Sequence, residues 1–138
     1  MAKGVAVKTR RRRSARGAAA IRLSERDIEK QLVDYLRLHG WNVHRLEADL
    51  WRSKRGAARE EVGTPDFICL RRASWYENER SVRAFYLEVK RPGGKLRPSQ
   101  EFWIGYARAR GWCVIVADSL ESLITQMRVT GIGDRNGQ

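Results

Sequence analysis

The stretch Phe85-Tyr86-Leu87-Glu88-Val89-Lys90 constrains the fold of this 138-residue chain more than any other. It predicts a β-strand, in which alternate side chains point to opposite faces of the sheet. Phe85, Leu87 and Val89 then pack on one face, and Tyr86, Glu88 and Lys90 share the other. A carboxylate and an ammonium on an otherwise apolar strand are costly to bury unless paired or metal-bound. Taken alone, such a pair is usually a solvated sheet face. Asp66 adds a second carboxylate, placed after Pro65 where the apolar run Phe67-Ile68-Cys69-Leu70 begins. Two acids and a lysine on adjacent strands have the chemistry to hold a divalent cation and polarise a phosphodiester.

Residues around this stretch predict the remaining elements. Ser24 is a good helix N-cap, Leu23 and Ile28 occupy the positions of a hydrophobic staple, and Gly40 stands just past the helix end. Ile28, Leu32, Tyr35, Leu36 and His39 form the expected buried stripe. Glu25 and Glu29 lie four apart on one face; acids in a first turn also suit the helix dipole without any further role. Residues 41–46 read as a short strand, 66–70 and 84–90 as an antiparallel hairpin with a long connection, and Pro98 to about Arg110 as a second helix ended by Gly111. On that helix Gln100 heads an apolar face with Trp103, Ile104 and Ala107. A buried amide needs partners, and Gln100 is placed to face the Glu88–Lys90 side of the strand. The run Trp112 to Ala117 is apolar throughout, as in a strand covered on both faces, and the helical crossover makes it parallel to strand 84–90. Leu120 to Val129 is a third helix, and residues 131–138 are expected to fray.

Charge points to a polyanionic partner. The net charge is +12, but eight bases and no acid fall in residues 1–22. The other 20 bases and all 16 acids leave residues 23–138 at only +4. Residues 1–22, rich in Arg, Ala and Gly, read as a disordered basic arm. Such an arm contacts phosphates non-specifically or simply solubilises the chain. Residues 23–130 are then the folded domain and 131–138 a flexible tail. The stretch from Glu47 to Gly63 carries Trp51, Arg52, Lys54, Arg55 and Arg59 and no clear period, which suits a functional basic loop. Trp51 could stack on a base or pin the loop. Arg45, Arg91, Lys95 and Arg97 complete the candidate DNA-contacting bases. Cys69 and Cys113 sit inside apolar runs and read as reduced core residues. Two histidines do not support a His/Cys zinc centre, and no apolar stretch is long enough to span a membrane. A cytoplasmic protein with no membrane partner is the expectation.

In sequence order, Gly63-Thr64-Pro65-Asp66, Tyr86-Leu87-Glu88-Val89-Lys90 and Lys95-Leu96-Arg97-Pro98-Ser99-Gln100 resemble the motifs of the PD-(D/E)xK nuclease superfamily. Within it they are most similar to the VRR-type nuclease domains of phage and bacterial proteins. The resemblance spans about Leu23 to Val129. It implies an α/β fold, a restriction-endonuclease-like αβββαβ core with a mixed central sheet flanked by helices. It also implies that Asp66, Glu88 and the Val89 carbonyl ligate Mg²⁺ or Mn²⁺, that Lys90 serves the attacking water, and that Gln100 supports the site. Glu25 matches the acid near the start of the family's first helix, with Glu29 as the fallback. The segment from Arg71 to Arg83 is longer than in minimal relatives. No small-molecule cofactor is implied. Stand-alone domains of this type resemble homodimeric endonucleases that cut four-way DNA (Holliday) junctions. A less selective nickase or flap nuclease, and a non-catalytic DNA-binding module on the same fold, are the alternatives. Against the last, a pure binder has no need of the Asp66, Glu88, Lys90 set. No helix-turn-helix or zinc-finger pattern is present for reading bases. Trp51, Trp75, Tyr76, Leu123, Ile124 and Met127 are candidate apolar contacts for a dimer.

Overall fold

A computed structural model describes residues 22–46, 63–72 and 82–133. Helix α1 spans Glu25–Leu38, β1 Asn42–Arg45, β2 Phe67–Arg72, β3 Val82–Val89, α2 Pro98–Ala109, β4 Val114–Ala117 and α3 Leu120–Val129. The strands lie in the spatial order β1-β2-β3-β4. The first three form an antiparallel meander and β4 joins parallel to β3 through the α2 crossover. This is the mixed α/β sheet expected from the order of elements.

Local chemistry explains the boundaries. The Ser24 hydroxyl accepts from the Asp27 N–H at 3.2 Å, and the Asp27 carboxylate accepts from the Ser24 N–H at 3.1 Å. This reciprocal pair satisfies two donors at the start of α1. At the other end, Gly40 takes a φ of +82° while the Trp41 N–H donates to the Leu36 carbonyl at 3.0 Å, a Schellman closure. The chain is thereby turned straight into β1.

The sheet carries a helix layer on each face. On one side Ile28, Leu32, Leu36, Phe85, Leu87, Val89, Ile115, Leu123 and Met127 belong to the main core under α1 and α3. On the other, Trp103, Ile104 and Ala107 of α2 pack on Val114, Tyr86 and Val116. Residues along β4 alternate between the two cores, so the strand is apolar on both faces for the expected reason.

Several expectations need correction. His39 is exposed rather than part of the buried stripe, because α1 ends beneath it and its Nδ1 lies 2.8 Å from the Tyr35 carbonyl; Val33 is buried instead. The hairpin strands run further than predicted, with Arg71 opposite Arg83 and Arg72 opposite Val82. Residues 73–81, including Trp75 and Tyr76, lie outside the described residues. Trp112 is 44% exposed and precedes β4. Leu123 and Met127 fill the core, so they cannot serve as dimer contacts. Residues 131–133 are described and 134–138 lie outside the described residues. The Ile132 and Gly133 N–H groups donate to the Met127 carbonyl, and Arg83 Nη1 donates to the Gly133 carbonyl at 3.1 Å. Among the described residues no helix is long and apolar enough to cross a membrane.

Gly63 is the tightest point of the chain around the α2 entrance. Its φ is +91°, and an added Cβ would stand 2.2 Å from the Ser99 carbonyl oxygen and 2.7 Å from the Gln100 nitrogen. These are backbone atoms of the first turn of α2, which cannot swing aside. Gly63→Ala therefore combines a disfavoured dihedral with a backbone clash, at a cost of about 2 kcal/mol or more. In a thermal melt the variant is expected to lose roughly 8 °C or more; an unchanged midpoint would contradict this close approach.

Candidate active site

Glu88 and Asp66 meet because of sheet register. Phe67 pairs with Leu87, and continuing that antiparallel register by one residue sets Asp66 opposite Glu88. Asp66 itself lies in the bend before β2, just after the Gly63-Thr64-Pro65 turn. From there its Oδ2 accepts from the Val89 N–H at 2.9 Å. That bond anchors the carboxylate to the backbone between Glu88 and Lys90.

Glu88 is 2% exposed and, with Gln100, makes up the buried polar set among the described residues. Its two oxygens differ. Oε1 accepts from Gln100 Nε2 at 2.5 Å and lies 3.0 Å from Lys90 Nζ. Oε2 is buried with no hydrogen-bond partner. Buried carboxylate oxygens are rarely left unpaired, because each loses its hydration without replacement. Burial pushes the Glu88 carboxyl above its ordinary range, and the Asp66 charge adds to this; Lys90 and the Asp66 backbone contact oppose it. Asp66 is also raised, first by burial and then by Glu29 and Glu25, against the Val89 hydrogen bond and Lys90.

Gln100 acts through Glu88. Its Oε1 accepts from the Arg97 N–H at 2.9 Å, which leaves Nε2 as the end that donates to Glu88. The amide is thus oriented by the first turn of α2, whose start is set by Pro98. Lys90 follows directly on β3, with a side chain 14% exposed. The strand's period of two puts Tyr86, Glu88 and Lys90 on the α2 side, as the sequence predicted. In the same layer the Tyr86 and Trp103 rings meet edge to face at 4.9 Å.

The remaining candidates divide by position. Glu25 is exposed at the start of α1 and lines a groove of about 1020 Å³ with Arg22, Ser24, Arg91, Asp118 and Ser119. Glu29, one turn on, exerts a stronger field on Asp66 than Glu25 does. It contacts Arg45 Nη2. Among the described residues no three His, Cys, Asp or Glu side chains are grouped to hold a metal ion; the acids that converge are Asp66 and Glu88. Arg91, Lys95 and Arg97 are exposed between β3 and α2. Arg52, Lys54, Arg55 and Arg59, with Trp51, lie outside the described residues, as do residues 1–21 of the basic arm. Asp118 and Ser119 were not singled out in the sequence, although they follow β4 at the carboxyl end of a parallel pair, where α/β sheets gather ligands. Cys69 and Cys113 are free thiols, and burial pushes Cys69 up to about 12, so neither is poised as a nucleophile.

Three comparisons bear on this arrangement. The sequence pattern of the family described as VRR-NUC domain matches residues 7–121. A solved structure titled "VRR_NUC domain protein" superposes with a TM-score of 0.55 at 18% identity, covering 82% of this chain and 93% of the other. At that identity the likeness speaks for the fold alone. The search of curated proteins found no match. With a family match over most of its length and the same nuclease-type fold, this chain belongs to the VRR-NUC domain family.

Proposed function

We propose that the protein is a divalent-metal-dependent DNA endonuclease that hydrolyses phosphodiesters in branched DNA, four-way junctions above all. The observation that carries the cation site is the buried Glu88 Oε2, partnerless beside an Oε1 that both Gln100 and Lys90 engage. An unpaired, buried carboxylate oxygen, on a residue whose neighbour across the register is a second raised acid, fits a hard cation. Asp66 and Glu88, with the Val89 carbonyl, would hold Mg²⁺ or Mn²⁺, and Glu25 or Glu29 would stand as a further acid on α1. When bound, the ion would supply Lewis-acid stabilisation of the charge that develops on the phosphoryl oxygens.

The chain's own residues supply the rest. Lys90 is held beside Glu88, where an ammonium orients the attacking water and balances developing negative charge. Gln100 is a positioning residue: it fixes which Glu88 oxygen is occupied from the protein side. Arg91, Lys95 and Arg97 would offer phosphate contacts beyond Lys90, and the groove lined by Arg22, Glu25 and Arg91 would take a strand past the start of α1. Preference for branched DNA rests on the resemblance of stand-alone VRR-type domains to junction-cutting enzymes, and on a sequence without base-reading motifs. A two-fold dimer would present two such sites with the symmetry of a four-way junction.

Both acids have raised carboxyl values, so the folded state binds their protons more tightly than the unfolded chain does. Their contribution to stability is therefore greatest below the ordinary carboxylate range. It falls as pH rises through the window between the unfolded and the raised folded values. Above the raised folded values the metal-free protein bears this cost in full.

Four outcomes are expected. Asp66→Asn, whose amide oxygen can still accept from the Val89 N–H, should melt a few °C above wild type at pH 7 without metal, and the gap should close toward pH 4. Millimolar Mn²⁺ should raise the melting temperature of wild type and leave Asp66→Asn unmoved; equal metal shifts in both would remove Asp66 from the site. In a cleavage assay with Mg²⁺, Lys90→Ala should lose roughly 10²-fold or more in rate while keeping its DNA affinity, and EDTA should stop the wild type. Finally, the protein at micromolar concentration should sediment as a dimer and place paired nicks in opposing strands of a synthetic four-way junction. A monomer that nicks single strands at random would exclude junction resolution but not nuclease activity.

A further inference from the structure

Arg45 occupies a corner that the cation site does not yet explain. At the end of β1 its Cα pairs with that of Phe67, the residue after Asp66, and the next residue's N–H, that of Leu46, donates to the Asp66 carbonyl at 2.8 Å. The Arg45 guanidinium lies 4.7 Å from the centre of the Phe67 ring, and its Nη2 contacts Oε1 of Glu29 on α1. Side-chain exposure is unequal across this pair, 56% for Arg45 and 24% for Glu29. The carboxylate therefore lies on the protein side and the cation on the solvent side.

This sets Glu29 at the end of β1 that borders Asp66, neutralised from outside by a guanidinium within reach of solvent. A guanidinium binds carboxylate and phosphate with the same planar fork, so a DNA phosphate is a direct competitor for Arg45. The pair is half-exposed, and ion pairs of that kind are weak enough to exchange. Stacking on Phe67 restrains the guanidinium near the site during such an exchange.

We propose that Arg45 is an ionic latch on Glu29: in the free protein it occupies the Glu29 carboxylate, and a DNA backbone phosphate that draws the guanidinium away releases Glu29 toward the Asp66–Glu88 cation site. The inference deepens the cation-site reading above and rests on it. Cation affinity then rises when DNA binds, and by linkage DNA affinity rises equally when the cation binds. Arg45 is a positioning residue in this scheme, acting through Glu29 and not on the reacting atoms.

Binding of Mn²⁺ to the full chain, followed by the electron paramagnetic resonance of the unbound ion, tests this without turnover. In the absence of DNA, Arg45→Gln should bind Mn²⁺ roughly threefold more tightly than wild type, the scale set by a half-exposed ion pair. Arg45→Met, which keeps an unbranched stem against Phe67, carries the same expectation, whereas Arg45→Lys should stay near wild type. Adding Glu29→Gln to Arg45→Gln should abolish the gain. In a Lys90→Ala background, which prevents cleavage, a synthetic four-way junction should tighten Mn²⁺ binding, and this effect should vanish when Arg45→Gln is added. Unchanged or weaker Mn²⁺ binding by both the Gln and the Met variants, or a gain that survives loss of Glu29, overturns the latch. If wild type binds Mn²⁺ through Asp66 and only these Arg45 effects fail, the cation site stands and the latch alone falls. If wild type binds no Mn²⁺, or Asp66→Asn binds it equally well, the cation site and the latch fall together.

Discussion

A carboxylate shut away from water on a central strand is the constraint on which the site is built. Glu88 is nearly inaccessible, and the favourable contacts it receives come from two elements. α2 contributes the Gln100 amide, and the residue directly after β3 is Lys90. Across the sheet Asp66 makes the situation electrostatically worse while tying its own carboxylate to the Val89 N–H. Removing Gln100 or Lys90 leaves the buried Glu88 less compensated, a larger loss than the net worth of the bond. Half the Glu88 carboxylate is satisfied by the protein and half is not, and that asymmetry gives the corner its chemical character.

Positioning this group depends on backbone contacts remote from the charges. Gly63 lets the turn before Asp66 pass against the first turn of α2, so the segment bearing one acid and the helix bearing the supporting amide are held in van der Waals contact. Pro98 starts that helix where the Arg97 N–H can reach the Gln100 carbonyl oxygen, which in turn aims the amide nitrogen at Glu88. Below, Phe85, Leu87 and Val89 sink into the core shared with α1 and α3, fixing the strand's rotation. Both carboxyls of this pair are raised by burial, so holding them here costs the fold stability.

Much of this was legible in the sequence because it is written in short-range patterns. The period-two pattern of 85–90 placed Glu88 and Lys90 on the α2 side of the sheet. The helical spacing of Gln100, Trp103, Ile104 and Ala107 described the buried face of α2, and all four are buried. The apolar run before residue 118 described a parallel strand covered on both faces. The boundaries of α3 followed from the same kind of periodicity. Where the reading failed, the periodicity continued past a structural stop, as at His39, or apolar residues had two uses, as with Leu123 and Met127, which serve the core.

Other features depended on distances between residues far apart in the chain. Nothing local to Glu29 distinguishes it from Glu25, since both suit the first turns of a helix; only the tertiary packing of α1 beside the end of β1 brings Glu29 to Arg45 and toward Asp66. The unequal state of the two Glu88 oxygens is equally invisible in sequence, because it depends on where α2 docks. The requirement for Gly63 likewise comes from Ser99 and Gln100, more than thirty residues away. The sequence by itself determined the elements, their order and the face on which each charged group lies, because side-chain periodicity and capping chemistry act over a few residues. The tertiary structure decided which acids converge, which oxygen lacks a partner and which arginine holds a carboxylate, because desolvation and charge pairing depend on long-range packing.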